Sequence, residues 1–156
     1  MMRYATVHDY DFIISLIMKE AANGHFSRKL LNPAATLGME KELMSVLLQH
    51  RRINQCYAYA LIWERKGYPV GFVVMSALER DQGNELWLAA IAPSYRGLGE
   101  GKEMIGAILP QFKQQGAGLI ARCAPESEAM FHILATSGFV VDAILEHGTR
   151  QLVTSW

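Results

Sequence analysis

At 156 residues, with 51% hydrophobic and 19% charged side chains, the chain has the composition of a globular protein large enough to bury a core. Fifteen basic and fifteen acidic residues cancel to a formal charge of zero, which removes any general electrostatic reason for a nucleic acid or an anionic membrane as partner. No apolar run approaches the ~20 residues that span a bilayer, the N-terminus lacks a signal-peptide pattern, and Cys56 and Cys123 stand apart in apolar surroundings. The expectation is a single soluble, cytoplasmic domain over residues 1–156, without a metal site.

"MRYAT" opens the chain as a short strand. Thr6 and Asp9 have the spacing of a capping box, and Phe12, Ile13, Leu16 and Ile17 repeat at helical intervals behind them. "AANGHFSRKLLNP" breaks that period and reads as a loop or a short irregular helix. Asn32 before Pro33 marks a second helix start, with Leu43, Val46 and Leu47 on one face. "CYAYALIWE" and "YPVGFVVMSALE", separated by "RKG", read as a hairpin. "ELWLAAIA" is short and almost wholly apolar, as a strand covered on both faces would be. Met104, Ile105, Ile108, Leu109 and Phe112 then mark a helix that Pro110 should bend or end, because proline removes the bond to the Gly106 carbonyl. "GLIARCA" is the next strand, "ESEAMFHILATSG" a helix stopped by Gly138, and "FVVDAILEHGTRQLVTSW" a closing hairpin. With no repeat or linker, the expected class is α/β.

Between the apolar strand and its helix lies "PSYRGLGEGK", with Gly97, Gly99 and Gly101 at alternate positions and Arg96 and Lys102 beside them. Glycine is ~1 kcal/mol less favourable than alanine inside a helix, so three of them there need a reason. A strand, a tight glycine turn and a helix N-terminus together make an anion-binding device, because the first amides of the helix lack partners and no Cβ blocks the approach. The plainer alternative is a tight turn that tolerates glycine. A Walker A turn does not fit, since Arg96 stands where its first glycine belongs and Glu103 follows Lys102. The dinucleotide pattern fails too, with Lys102 at its last glycine. R-x-x-G-x-G does fit, as Arg96-Gly97-Leu98-Gly99-Glu100-Gly101.

That run resembles the pyrophosphate-binding turn of the GNAT superfamily of acyl-CoA-dependent N-acyltransferases, and "LAAIAPSYRGLGEG" and "GLIARCAPESEAMFHILATSGF" are similar in order to its flanking elements. Close similarity runs from Glu85 to Phe139. The resemblance implies a mixed, mostly antiparallel sheet of six to seven strands flanked by about four helices, splayed between Glu85–Ala92 and Gly118–Ala124 to admit acetyl-CoA. It implies that main-chain groups of Ile91 pair with pantetheine, the Ile91 amide serving as oxyanion donor. The backbone of Arg96, Gly97, Leu98, Gly99, Glu100, Gly101 and Lys102 would hold the pyrophosphate. Ser127 stands at the family's asparagine position and keeps a hydrogen bond for pantetheine.

Glu85 stands where some members carry a general base, acting directly or through water; the other reading is a solvated carboxylate at a strand start. The family's tyrosine, which protonates the departing thiolate, is replaced by Leu134. His132 is two residues away, ~200° round the helix and so on another face. "NGHF" either presents His25 and Phe26 to the acceptor or plugs Phe26 into the core. The implied reaction is acetyl transfer from acetyl-CoA to a primary amine in a ternary complex. The alternative, kept open by Leu134, is a weak or inactive acyl-CoA-binding regulatory domain. A hydrolase or nucleotide enzyme conflicts with the lack of G-x-S-x-G, Walker A and metal-ligand spacings. The acceptor is expected to be a small-molecule or protein amine, with no nucleic acid or membrane partner, and the closing hairpin buries itself or pairs two copies in a homodimer.

Overall fold

The chain runs through β1 (Met2–Tyr4), α1 (Tyr10–Ala22), α2 (Pro33–Gln49), β2 (Ala58–Arg65), β3 (Tyr68–Ala77), β4 (Asn84–Ile91), α3 (Glu100–Gln114), β5 (Leu119–Cys123), α4 (Glu128–Ala135), β6 (Phe139–Ile144) and β7 (Arg150–Thr154) in the computed structural model, which describes residues 1–156. The seven strands form one sheet in the order β1-β2-β3-β4-β5-β7-β6. Every neighbouring pair is antiparallel except β4 with β5. This is the mixed, mostly antiparallel sheet with four helices that the resemblance implies. No helix is long and apolar enough to cross a membrane.

Local chemistry sets the helix starts. The Thr6–Asp9 capping box forms, with the Thr6 amide donating to Asp9 at 2.8 Å, and Arg3 clamps the Asp9 carboxylate from β1. Asn32 accepts from the Ala34 amide at 3.0 Å and Pro33 supplies the first turn of α2. The irregular segment between α1 and α2 contains a short 3₁₀ turn at Arg28–Leu31, capped by Ser27. Pro110 does not end α3, which continues to Gln114. The missing amide removes one bond, while Ile105, Ile108 and Leu109 hold the same stretch against the sheet.

Two cores flank the sheet. Leu86, Ala89, Ile91, Met104, Ile108 and Leu134 pack on the α3/α4 side; Ile13, Ile17, Val46, Phe72, Leu88 and Ala90 pack on the α1/α2 side. Full burial of each large side chain contributes roughly 1.5–3 kcal/mol.

Leu86 and Leu88 lie in opposite cores although strand alternation would put them together. The β3–β4 register explains it: Val74 faces Leu88 and Met75 faces Leu86, so Trp87 is an extra residue on β4. Such a bulge bends its strand and increases its twist. On the other edge of β4 the parallel ladder with β5 ends at Leu86–Ala121. Beyond that pair the strands part.

Candidate active site

A cleft of about 660 Å³ opens where β4 leaves β5, walled by the end of β4, the start of α3 and one face of α4. Gly97 and Gly99 line it with φ of +75° and +81°, and a Cβ on either would meet no protein atom within 4 Å. Their positive φ excludes most side chains and their bareness leaves the cleft clear. Gly99 is the N-cap of α3, and the first intrahelical bond runs from the Glu103 amide to its carbonyl at 3.1 Å. The amides of Glu100, Gly101 and Lys102 therefore precede any helical partner, at the positive end of the helix dipole. Gly101 has a different reason to be bare: a Cβ there would stand 2.9 Å from Ile133 Cδ1, so its glycine also lets α3 approach α4.

The side chains of the turn do not all face the cleft. Arg96 Nε donates to the Ile91 carbonyl at 3.0 Å and its Nη2 to the buried Glu20. Glu100 turns inward, accepting from Trp63 Nε1 at 2.9 Å and Arg65 Nε at 2.7 Å. Leu98 projects into solvent. Lys102 keeps an exposed ammonium on the cleft wall, so the turn offers an anion backbone amides and one lysine. That donor set, with an uncluttered cleft beside it, fits a pyrophosphate group.

The Ala92 amide bonds to Val70 on β3 at 2.8 Å, so by strand alternation the main-chain groups of Ala89 and Ile91 face the parted side. The Ala89 carbonyl is met there by His25 Nε2 at 2.8 Å, and His25 Nδ1 meets Ser127 Oγ. A carbonyl only accepts, so Nε2 carries the hydrogen and Nδ1 accepts from the serine hydroxyl. Burial pushes the His25 pKa down, in keeping with a neutral ring, while its bond to Ala89 opposes the shift. Ser127 sits at the N-cap of α4 but gives its hydroxyl to His25 instead of the helix.

His25 and Ser127 also border a second, smaller cavity toward β5, lined by Phe26, Trp87 and Arg122. Phe26 packs partly against the α1/α2 core, as the core reading of "NGHF" expects, and also lines that cavity. Arg28 fastens the segment across the cleft through two bonds of 2.6 Å to Glu126. His132 lines the larger cleft, whereas Leu134 is buried in the core and borders only the smaller cavity.

Glu85 pairs with Ile120 just before the strands part and is 5% exposed, which rules out a solvated surface carboxylate. Its nearest cation is Arg122, at 3.9 Å. Burial pushes its pKa up, with Arg122 and Arg52 pulling against the shift. Six residues of strand separate it from Ile91, ~20 Å at ~3.3 Å per residue, so the two are not brought to one point. The residues that line both cavities are His25, Ser127 and Met130, and the first two, 102 residues apart, meet beside the Ala89 carbonyl.

The model of the acetyltransferase (GNAT) family matches residues 17–139. A comparison with curated protein sequences finds no match. Among solved structures, the PaiA N-acetyltransferase of Thermoplasma acidophilum in complex with coenzyme A superposes with TM-score 0.76 at 13% identity, over 100% of this chain and 98% of that one. A chimera of the Vibrio cholerae spermidine N-acetyltransferase SpeG with hSSAT gives TM-score 0.68 at 15% identity, over 99% and 94%. The ribosomal-protein-alanine N-acetyltransferase of Brucella melitensis gives TM-score 0.67 at 17% identity, over 98% and 96%. At such identities the likeness is one of fold. The family model carries further, since it spans the parted strands, the glycine turn and α4 together: this chain belongs to the acetyltransferase (GNAT) family.

Proposed function

We propose that the protein transfers an acetyl group from acetyl-CoA to a primary amine by direct attack in a ternary complex. The observation that carries this is the parted β4–β5 pair opening onto free amides at the start of α3. Acetyl-CoA supplies an activated acyl carbon and a thiolate leaving group, and the coenzyme A held by the Thermoplasma relative supports the assignment.

The amides of Gly97 to Lys102 would bind the pyrophosphate, with the Lys102 ammonium beside them. The Ile91 amide, on the parted edge of β4, would stabilise negative charge developing on the acyl oxygen. Glu85 lies ~13 Å along β4 from Ala89 at ~3.3 Å per residue, so it would take the first proton from the acceptor through a chain of waters. Removing it is essential, since an ammonium with pKa ~10.4 has no lone pair at neutral pH. As the C–N bond forms and the C–S bond breaks, coenzyme A would leave as its thiolate, while the second amine proton goes to Ser127 Oγ and that hydroxyl passes its own hydrogen to His25 Nδ1. Leu134 gives the inactive alternative its ground; a thiolate that leaves without an acid, with the Ser127–His25 pair to take the amine proton, answers it.

The acceptor is a small-molecule or protein amine, and one catalytic domain over residues 1–156 works in the reducing cytoplasm, in keeping with two unpaired cysteines. A homodimer would use the edge strand β6, where Val140, Val141 and Ile144 are exposed. The test of function is incubation with acetyl-CoA and a panel of primary amines, following free CoA thiol and the acetylated amine. Amine-dependent release of CoA with matching product is expected. Saturable binding of acetyl-CoA with no product from any amine would overturn the catalytic reading.

A further inference from the structure

On β5, Leu119, Ala121 and Cys123 pack into the α3/α4 core. Alternation therefore turns Ile120 and Arg122 to the opposite face of the sheet, the face on which Glu85 lies. Arg122 follows the last residue of β5 that pairs with β4, lines the smaller cavity, and has a half-exposed side chain. Its nearest carboxylate, Glu85, is 3.9 Å away, beyond hydrogen-bond reach.

The other cation there is differently placed. Arg52 lies over the Trp87 ring at 3.7 Å and is held by Glu42 at 3.0 Å. Around the mouth of the smaller cavity, Arg122 is thus the charge without a close partner. The cavity measures only about 40 Å³, so it takes no more than the reacting end of a molecule and leaves the rest outside beside Arg122.

Resting on the acetyltransferase reading above, we propose that the acceptor carries a carboxylate, bound by the Arg122 guanidinium, next to the amine that is acetylated. The substrate class is then a free amino acid or similar amino carboxylate. A guanidinium takes a carboxylate in two parallel hydrogen bonds, and an acceptor bound this way puts its negative charge outside and its amine inward. A polyamine would set a second ammonium against Arg122 and Arg52, a like-charge contact that works against it. The carboxylate would also draw Arg122 away from Glu85, removing the charge that most opposes proton uptake by that carboxyl group.

The test pairs each amino acid with its decarboxylated amine: leucine with isopentylamine, phenylalanine with phenethylamine, and spermidine as a polycation. In the wild type kcat/KM should favour the acid over its amine by about 10- to 100-fold, the range of a charged hydrogen-bond pair. Arg122→Gln should bring that ratio close to one and Arg122→Lys should retain part of it. A wild type that prefers the amines or spermidine, or an Arg122→Gln variant that lowers acid and amine by one factor, would overturn the assignment. Should no acceptor be acetylated, the transferase reading falls separately, and calorimetric titration of leucine and phenylalanine into the CoA-loaded protein still decides the carboxylate site. Binding lost in Arg122→Gln supports it, and no binding to the wild type refutes it.

Discussion

Replacing Gly99 with valine separates the turn's structural role from its binding role. Gly99 has φ of +81°, in the left-handed region, and a β-branched residue there costs about 2 kcal/mol. No protein atom lies within 4 Å of a Cβ at this position, so no clash adds to that cost. For a chain of this size the melting temperature should fall by roughly 4–8 °C, and a domain stable by ~5–15 kcal/mol stays folded. The open space around that Cβ is the space the phosphate needs. Displacing the ligand from two amides forfeits two charged hydrogen bonds of ~1.5–3 kcal/mol each, so Kd for acetyl-CoA should rise at least ~100-fold. Calorimetric titration gives Kd and a circular-dichroism melt gives stability. A variant with the small melting shift but Kd within threefold of wild type would refute the placement of phosphate at this turn.

Other substitutions test the neighbouring groups. Glu85→Gln should lower kcat/KM about 100-fold, the lower range for a general base, and wild-type kcat/KM should fall as the pH drops through the raised pKa of Glu85. Because that pKa is raised in the folded protein, the protonated carboxyl adds stability in full below the ordinary value of 4.5 and loses it as pH rises through the folded value. Glu85→Gln should therefore raise the melting temperature at pH 7 and bring no gain in strong acid; a gain independent of pH would contradict the burial argument. His25→Ala leaves the Ser127 hydroxyl unheld, and kcat should drop about tenfold or more with acetyl-CoA affinity changed less than threefold; a matching loss of affinity would place His25 with the cofactor instead. Glu100→Ala strands Trp63 Nε1 and Arg65, which should cost about 2 kcal/mol of stability in a denaturant melt while acetyl-CoA still binds. Loss of binding in a stable variant would show that Glu100 does more than anchor the helix.

What the sequence discloses here is what local rules govern. The Thr6–Asp9 box, the Asn32–Pro33 start and the glycine turn depend on neighbours within a few positions, and each forms as its pattern predicts. The Trp87 bulge depends on the register between β3 and β4, which no alternation within "ELWLAAIA" reveals. Arg96 and Glu100 look like parts of the turn in sequence, yet bonds to Glu20 in the one case and to Trp63 and Arg65 in the other occupy their side chains. The His25–Ser127 contact joins a loop after α1 to the start of α4, and only the sheet between them brings the two together. The one advance sign is composition: a histidine and a glycine in the segment that breaks the first helix.

Direct transfer leaves the protein unmodified, and Ser127 against a neutral imidazole is the pair in the cleft that offers a covalent route instead. The decisive measurement is initial velocity over a grid of acetyl-CoA and acceptor concentrations, with the intact-protein mass recorded during turnover. Intersecting double-reciprocal lines and an unmodified protein are expected. Parallel lines together with an acetyl group on Ser127 would contradict direct transfer.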